Sequence, residues 1–203
     1  GACEKLHGQT RYAFLPAAVV AGCVKAVESF PGLHLALQLK DELHAFNCPL
    51  ANFAYPLWGI DPQLSVPLNP NVFNQTVKIL IYFENLVDSV TDLPSSLVNL
   101  CQTICMDQAN VYLTDQGKVL QITNSQTSKF KSIDHLRRQL NLKPEEIAVF
   151  GDDWNDLEML TGFPNGVVMG NADRELRCQI RYQTQSNDED GIAYALHTLL
   201  GLI

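Results

Sequence analysis

Ile147-Ala148-Val149-Phe150 runs directly into Gly151-Asp152-Asp153-Trp154-Asn155-Asp156, and the apolar helix starter Leu157-Glu158-Met159-Leu160 comes next without a break. A short apolar run bounded by turn residues reads as a buried strand. Carboxylates at its end aim several hard oxygen ligands at one point, where open α/β sheets gather their ligands. Mg²⁺ is the occupant such oxygens suit. The same hexapeptide also fits a plain strand-to-helix turn in which Asp and Asn cap a helix N-terminus, and a short motif alone does not separate the two.

Working outward, the C-terminal third carries three further stretches in a fixed order around this one. Ser128-Lys129-Phe130-Lys131 precedes it; Gly166-Val167-Val168-Met169-Gly170-Asn171-Ala172 and then Ser186-Asn187-Asp188-Glu189-Asp190-Gly191-Ile192-Ala193 come after it. Four motifs in one order are much harder to obtain by chance than one. The series resembles the haloacid dehalogenase superfamily and, within it, the Cof-type phosphatases of subclass IIB, specifically over Thr127 to Leu200.

The resemblance implies an α/β fold: a doubly wound, Rossmann-like parallel core, of which this chain holds a part, with an α/β cap domain inserted into it. It implies Mg²⁺-dependent hydrolysis of a phosphomonoester through an aspartyl-phosphate. One Asp attacks phosphorus, and a second, two residues later, protonates the leaving group and then activates water. Lys129 matches the lysine that screens the nucleophile from the phosphate and offsets negative charge in the transition state. Asp152 matches the metal ligand, and Asn155 and Asp156 match the groups that orient the metal, its waters or Lys129. Phe130 departs from the family, in which Gly is usual after the lysine.

The family's first motif, an apolar strand ending in Asp-x-Asp-Gly-Thr, does not occur in these residues. The sole Asp-x-Asp is Asp188-Glu189-Asp190, which comes after a polar run and belongs to the last motif. Gly1-Ala2 resembles the residues just after the family's second motif. The sequence is therefore read as beginning at the core-to-cap crossing. Such a chain is expected to be inactive alone and to leave a long apolar strand edge for the missing segment or a swapped neighbour to cover.

Composition fits this picture. A length of 203 residues with 46% hydrophobic content is enough for one large or two small domains with a real core. A formal charge of -8 argues against a nucleic-acid backbone as partner, because no basic stripe is available to neutralise phosphates. The longest apolar stretches, such as Tyr12 to Val24, are too short and broken to span a bilayer, so no membrane partner is expected. Six scattered cysteines without a Cys-x-x-Cys read as reduced thiols of a cytoplasmic protein. Cys101 and Cys105 share a helix face, as small buried hydrophobes or, less in keeping with the absence of a nearby His, as half of a zinc site. The five histidines show no ligand spacing, and no Gly-x-x-x-x-Gly-Lys phosphate loop occurs.

Along the chain, Leu15 to Ser29 reads as a helix stopped by Pro31-Gly32. Leu33 to Leu39 alternates as a strand, with Asp41 to Phe46 continuing it or turning away. Five prolines within residues 49 to 71 predict a loop-rich segment. Val77 to Phe83 is an apolar strand. Leu93 to Ile104 is a helix with Asp92 as N-cap and Pro94 in its first turn. Ala109 to Leu113 and Lys118 to Ile122 form a hairpin. Phe130, Ile133, Leu136 and Leu140 then mark one face of a helix begun near Ser128. This divides the chain into a cap over residues 1–123 and a C-terminal part of the core over residues 124–203. Asn171 reads either as a hold on the metal loop or as turn chemistry; Trp154 either as a wall of the site or as packing against the cap.

These residues support two functions of different class. One is a phosphatase of small phosphorylated metabolites, such as sugar phosphates or phosphorylated cofactors; the other is a non-catalytic binding or assembly module derived from it.

Overall fold

The computed structural model describes residues 2–6, 8–49, 61–83 and 92–201. Its contacts divide the chain into two compact units, Ala2–Thr127 and Ser128–Ile203.

The first unit opens with a polar hairpin that no apolar alternation marks in the sequence: β1 (Cys3–Leu6) and β2 (Gln9–Tyr12) pair antiparallel. Helix α1 (Ala17–Glu28) starts after Pro16, whose ring presets φ at the N-cap position, and buries Val19, Val20, Cys23, Ala26 and Val27 on one stripe. Strand β3 (Leu33–Leu39) leads through a tight turn at Lys40–Glu42 into β4 (His44–Phe46), which pairs antiparallel with it, so the chain turns away rather than continuing the strand. The proline-rich segment is described only in part. Residues 50–60 lie outside the described residues, and beyond them come two 3₁₀ turns, Pro62–Leu64 and Pro70–Gln75.

Strand β5 (Thr76–Phe83), helix α2 (Ser95–Cys105), β6 (Ala109–Thr114) and β7 (Val119–Asn124) complete an antiparallel five-stranded sheet ordered β4-β3-β5-β7-β6. The N-cap position of α2 is Pro94, not Asp92. Leu93 donates its N–H to Gly117 O at 3.0 Å, which pins this entry to the β6–β7 turn and leaves Asp92 before the helix start. One sheet face presents Leu33, Leu35, Leu37, Leu39, Ile79, Ile81, Leu120 and Ile122 to α1 and α2. Each such side chain contributes about 1.5–3 kcal/mol on burial, which makes this face the main source of the unit's cohesion.

In the second unit, strands and helices alternate, and the strands are accordingly parallel. Helix α3 (Lys129–Gln139) is succeeded by β8 (Ala148–Gly151), a 3₁₀ turn at Trp154–Asp156, α4 (Leu157–Gly162), β9 (Asn165–Val168), α5 (Arg174–Arg177), β10 (Tyr182–Gln183) and α6 (Gly191–Tyr194). The sheet order is β10-β9-β8. Leu140 is the C-cap of α3 and 49% exposed, so the apolar face of that helix is shorter than its sequence pattern indicates. Val149, Met159 and Phe163 pack with Phe130 and Ile133 in one cluster; Leu160, Val168, Ala172, Leu176 and Ile180 pack with Trp154 in another. No helix among the described residues is long and apolar enough to cross a membrane.

Candidate active site

Parallel strands bring the loops at their carboxyl ends to one rim of the sheet, and here the residues just past β8, β9 and β10 are joined to one another. Asp152 comes directly after β8; Asn171 lies three residues beyond β9; Asn187 lies four beyond β10. Asn171 Nδ2 donates to Asp152 Oδ2 at 2.7 Å, and the Asn187 N–H donates to Asn171 Oδ1 at 3.2 Å.

Lys129 reaches the same rim from the first residue of α3. Ser128 caps that helix, its Oγ accepting from Lys131 N at 3.1 Å, which fixes the turn on which Lys129 stands. Lys129 Nζ donates to Asp156 Oδ1 at 2.5 Å and to Asn155 Oδ1 at 3.4 Å. Asp156 is only 3% exposed, a buried carboxylate that needs such a partner. Its other oxygen accepts from the Asp152 N–H at 3.3 Å. Asp156 therefore links the lysine to the backbone of Asp152. Gly151 makes room for it: a Cβ there would stand 2.5 Å from Asp156 Cβ.

All four residues singled out from the sequence, Lys129, Asp152, Asn155 and Asp156, thus come together. Asn171, open between two readings from the sequence, bonds to Asp152 itself. The part played by the Asn187 backbone carried no side-chain signal and was missed. Phe130 packs into the Val149–Met159–Phe163 cluster. Its ring lies against Phe163, with centroids 5.3 Å apart, and over Gly162, where a Cβ would meet it at 2.4 Å. Trp154 packs inside its own unit against the Leu160–Leu176 cluster.

Among the described residues no group of three or more His, Cys, Asp or Glu side chains is placed to hold a metal ion. Mg²⁺ needs only one or two protein carboxylates and takes water and phosphate oxygens for the rest of its shell. An exposed Asp152, with one oxygen fixed by Asn171, fits one corner of such a shell. The cysteines form no disulfide; Cys101 and Cys105 are fully buried beside Cys23, whose thiol is pushed up by hydrogen bonding to both and by burial. They serve as small core residues.

Residues 68–196 match the family of haloacid dehalogenase-like hydrolases. The chain belongs to that family. The Bacillus subtilis protein YxeH is 29% identical over 176 residues, covering 82% of this chain and 63% of YxeH. Phosphatase YwpJ of the same organism is 36% identical over 80 residues, covering 39% of this chain and 28% of that protein. The chain therefore spans less than two thirds of the curated relatives it matches. In fold it is similar to the subclass IIB sugar phosphatase BT4131, with a TM-score of 0.78 at 19% identity over all of this chain and 74% of that one. The α/β architecture expected from the motifs is that of these hydrolases.

Proposed function

We propose that residues 1–123 form the cap and residues 124–203 the C-terminal part of the core of a Mg²⁺-dependent phosphatase of small phosphorylated metabolites, sugar phosphates or phosphorylated cofactors, in the cytoplasm. The observation that carries this reading is the bonding of Lys129 to Asn155 and Asp156, next to Asp152 at the carboxyl end of β8.

In this reading Lys129 is held as a fixed point charge against the phosphoryl oxygens, so little reorganisation is required as negative charge develops. Asp156 and Asn155 set its position, and Asp156 also holds the backbone at Asp152. Asp152 is the metal ligand; bound Mg²⁺ would neutralise phosphoryl oxygen charge as a Lewis acid. The attacking carboxylate and its acid–base neighbour are not among the 203 residues, which hold no Asp-x-Asp-Gly-Thr sequence. These residues alone are therefore expected to bind but not to turn over.

The test is phosphate release from a panel of sugar phosphates and phosphorylated cofactors in Mg²⁺, with the chain joined to a strand bearing Asp-x-Asp-Gly-Thr. Lys129→Ala is expected to lower kcat by about 100-fold or more, the scale of losing one fixed donor to a developing charge. Ligand binding without any turnover would instead identify a binding or assembly module.

A further inference from the structure

Asn171 is exposed, yet both ends of its amide are engaged, and each end constrains the other. The Asn187 N–H can only donate, so the Asn171 oxygen must face it; the NH₂ group is then directed at Asp152 Oδ2. No other side chain of this size offers an acceptor and a donor on one planar group. An Asp would present two acceptors to a neighbouring carboxylate, and a Leu would present none.

The segment that supplies the Asn187 N–H is itself tied down. Ser186 donates to Glu189 Oε2 from its hydroxyl at 2.6 Å and from its N–H at 3.2 Å. Those two bonds hold the Glu189 carboxyl below its ordinary range. The Gly191 N–H donates to Ser186 O at 3.0 Å, and Thr184 Oγ1 donates to Gly191 O at 2.6 Å. Gly191 admits this closure, since a Cβ there would lie 2.1 Å from Gln185 O. The Gly170 N–H, one residue before Asn171, bonds Gln185 O at 3.0 Å, so both sides of the Asn171–Asn187 contact are anchored to the same loop.

Resting on the reading of Asp152 as the metal ligand, we infer that Asn171 is a positioning residue that transmits the rigidity of the 184–191 turn to the Asp152 carboxylate. By engaging Oδ2, it leaves Oδ1 as the oxygen that would take a cation. Groups that orient a metal ligand in this way change metal affinity by about 10–100-fold when removed.

The experiment is titration of the 203-residue chain with Mg²⁺ by isothermal calorimetry, alongside Asn171→Ala and Asp152→Asn, with unfolding midpoints measured for each. Asn171→Ala is expected to weaken Mg²⁺ binding tenfold or more at an unchanged midpoint. Asn171→Leu, which keeps the volume but not the bonds, should do the same. If both variants bind Mg²⁺ as the parent does while the Asn187 amide loses hydrogen-exchange protection, Asn171 serves the turn alone and the inference is wrong. If the parent takes up no Mg²⁺ and Asp152→Asn changes nothing, the metal reading of Asp152 fails and the positioning role goes with it.

Discussion

Asp156 is the residue on which the site turns, because it is the one member that is buried and charged. Lys129 is its cation, and the lysine side chain is 46% exposed against 5% for the carboxylate. Removing the lysine leaves a buried acceptor short of a partner, a loss of about 1–3 kcal/mol. Lys129→Ala should therefore lower the urea unfolding midpoint of the 203 residues, besides lowering the activity of the joined chain, and a midpoint unchanged from the parent would argue against the ion pair. Gly151→Ala probes the same carboxylate from the other side. The new methyl would meet Asp156 Cβ at 2.5 Å and Cγ at 2.7 Å, too close to be absorbed without moving the side chain that holds Lys129. Overpacking of this kind costs about 1–3 kcal/mol, to be read from thermal unfolding. That Lys129, Asp152, Asn155 and Asp156 come together was legible in the sequence because a motif fixes residue types at fixed spacing. The bond from the Asn187 backbone was not, since main-chain donors leave no mark in residue identity.

The elements were legible in proportion to how apolar they are. β3, β5 and the β6–β7 hairpin, rich in Leu, Ile and Val, fall within a residue or two of the sequence reading. β1 and β2, reading Cys-Glu-Lys-Leu and Gln-Thr-Arg-Tyr, lack a buried face to set a period, and they were missed. α2 shows how a single backbone constraint moves a boundary: Pro94, with φ near -59° and no N–H to donate, takes the cap position that Asp92 was expected to hold. At α3 the cap is a side chain, and it matters to the site because Lys129 is the first helical residue. Ser128→Ala removes the acceptor for the Lys131 N–H and should cost about 1 kcal/mol. Ser128→Asp, which keeps an acceptor at the helix N-terminus, should restore most of it; equal stability for the Ala and Asp variants would mean the cap contributes nothing.

At the scale of the molecule, the sequence already separated a first region, read as a small α/β cap with one hairpin, from a last third in which the period turns helical. The structure divides at Thr127/Ser128, close to the polar run at Thr123 to Gln126. Sheet order was not legible, because pairings such as Leu37 with Ile79 are made across many residues by packing and not by local pattern. The family model places this architecture among the haloacid dehalogenase-like hydrolases, and the proposed phosphatase reading, with no Asp-x-Asp-Gly-Thr sequence in the 203 residues, can be tested directly. The deciding measurement is hydrolysis of an aryl phosphate in Mg²⁺ by the 203 residues, verified as a single species by intact mass, and by the same residues joined to a strand bearing that sequence. On the proposed reading, no turnover is expected from the first and Mg²⁺-dependent turnover, abolished by Asp152→Ala, from the second. Turnover by the pure 203 residues, or turnover of the joined chain indifferent to Asp152→Ala, would contradict it.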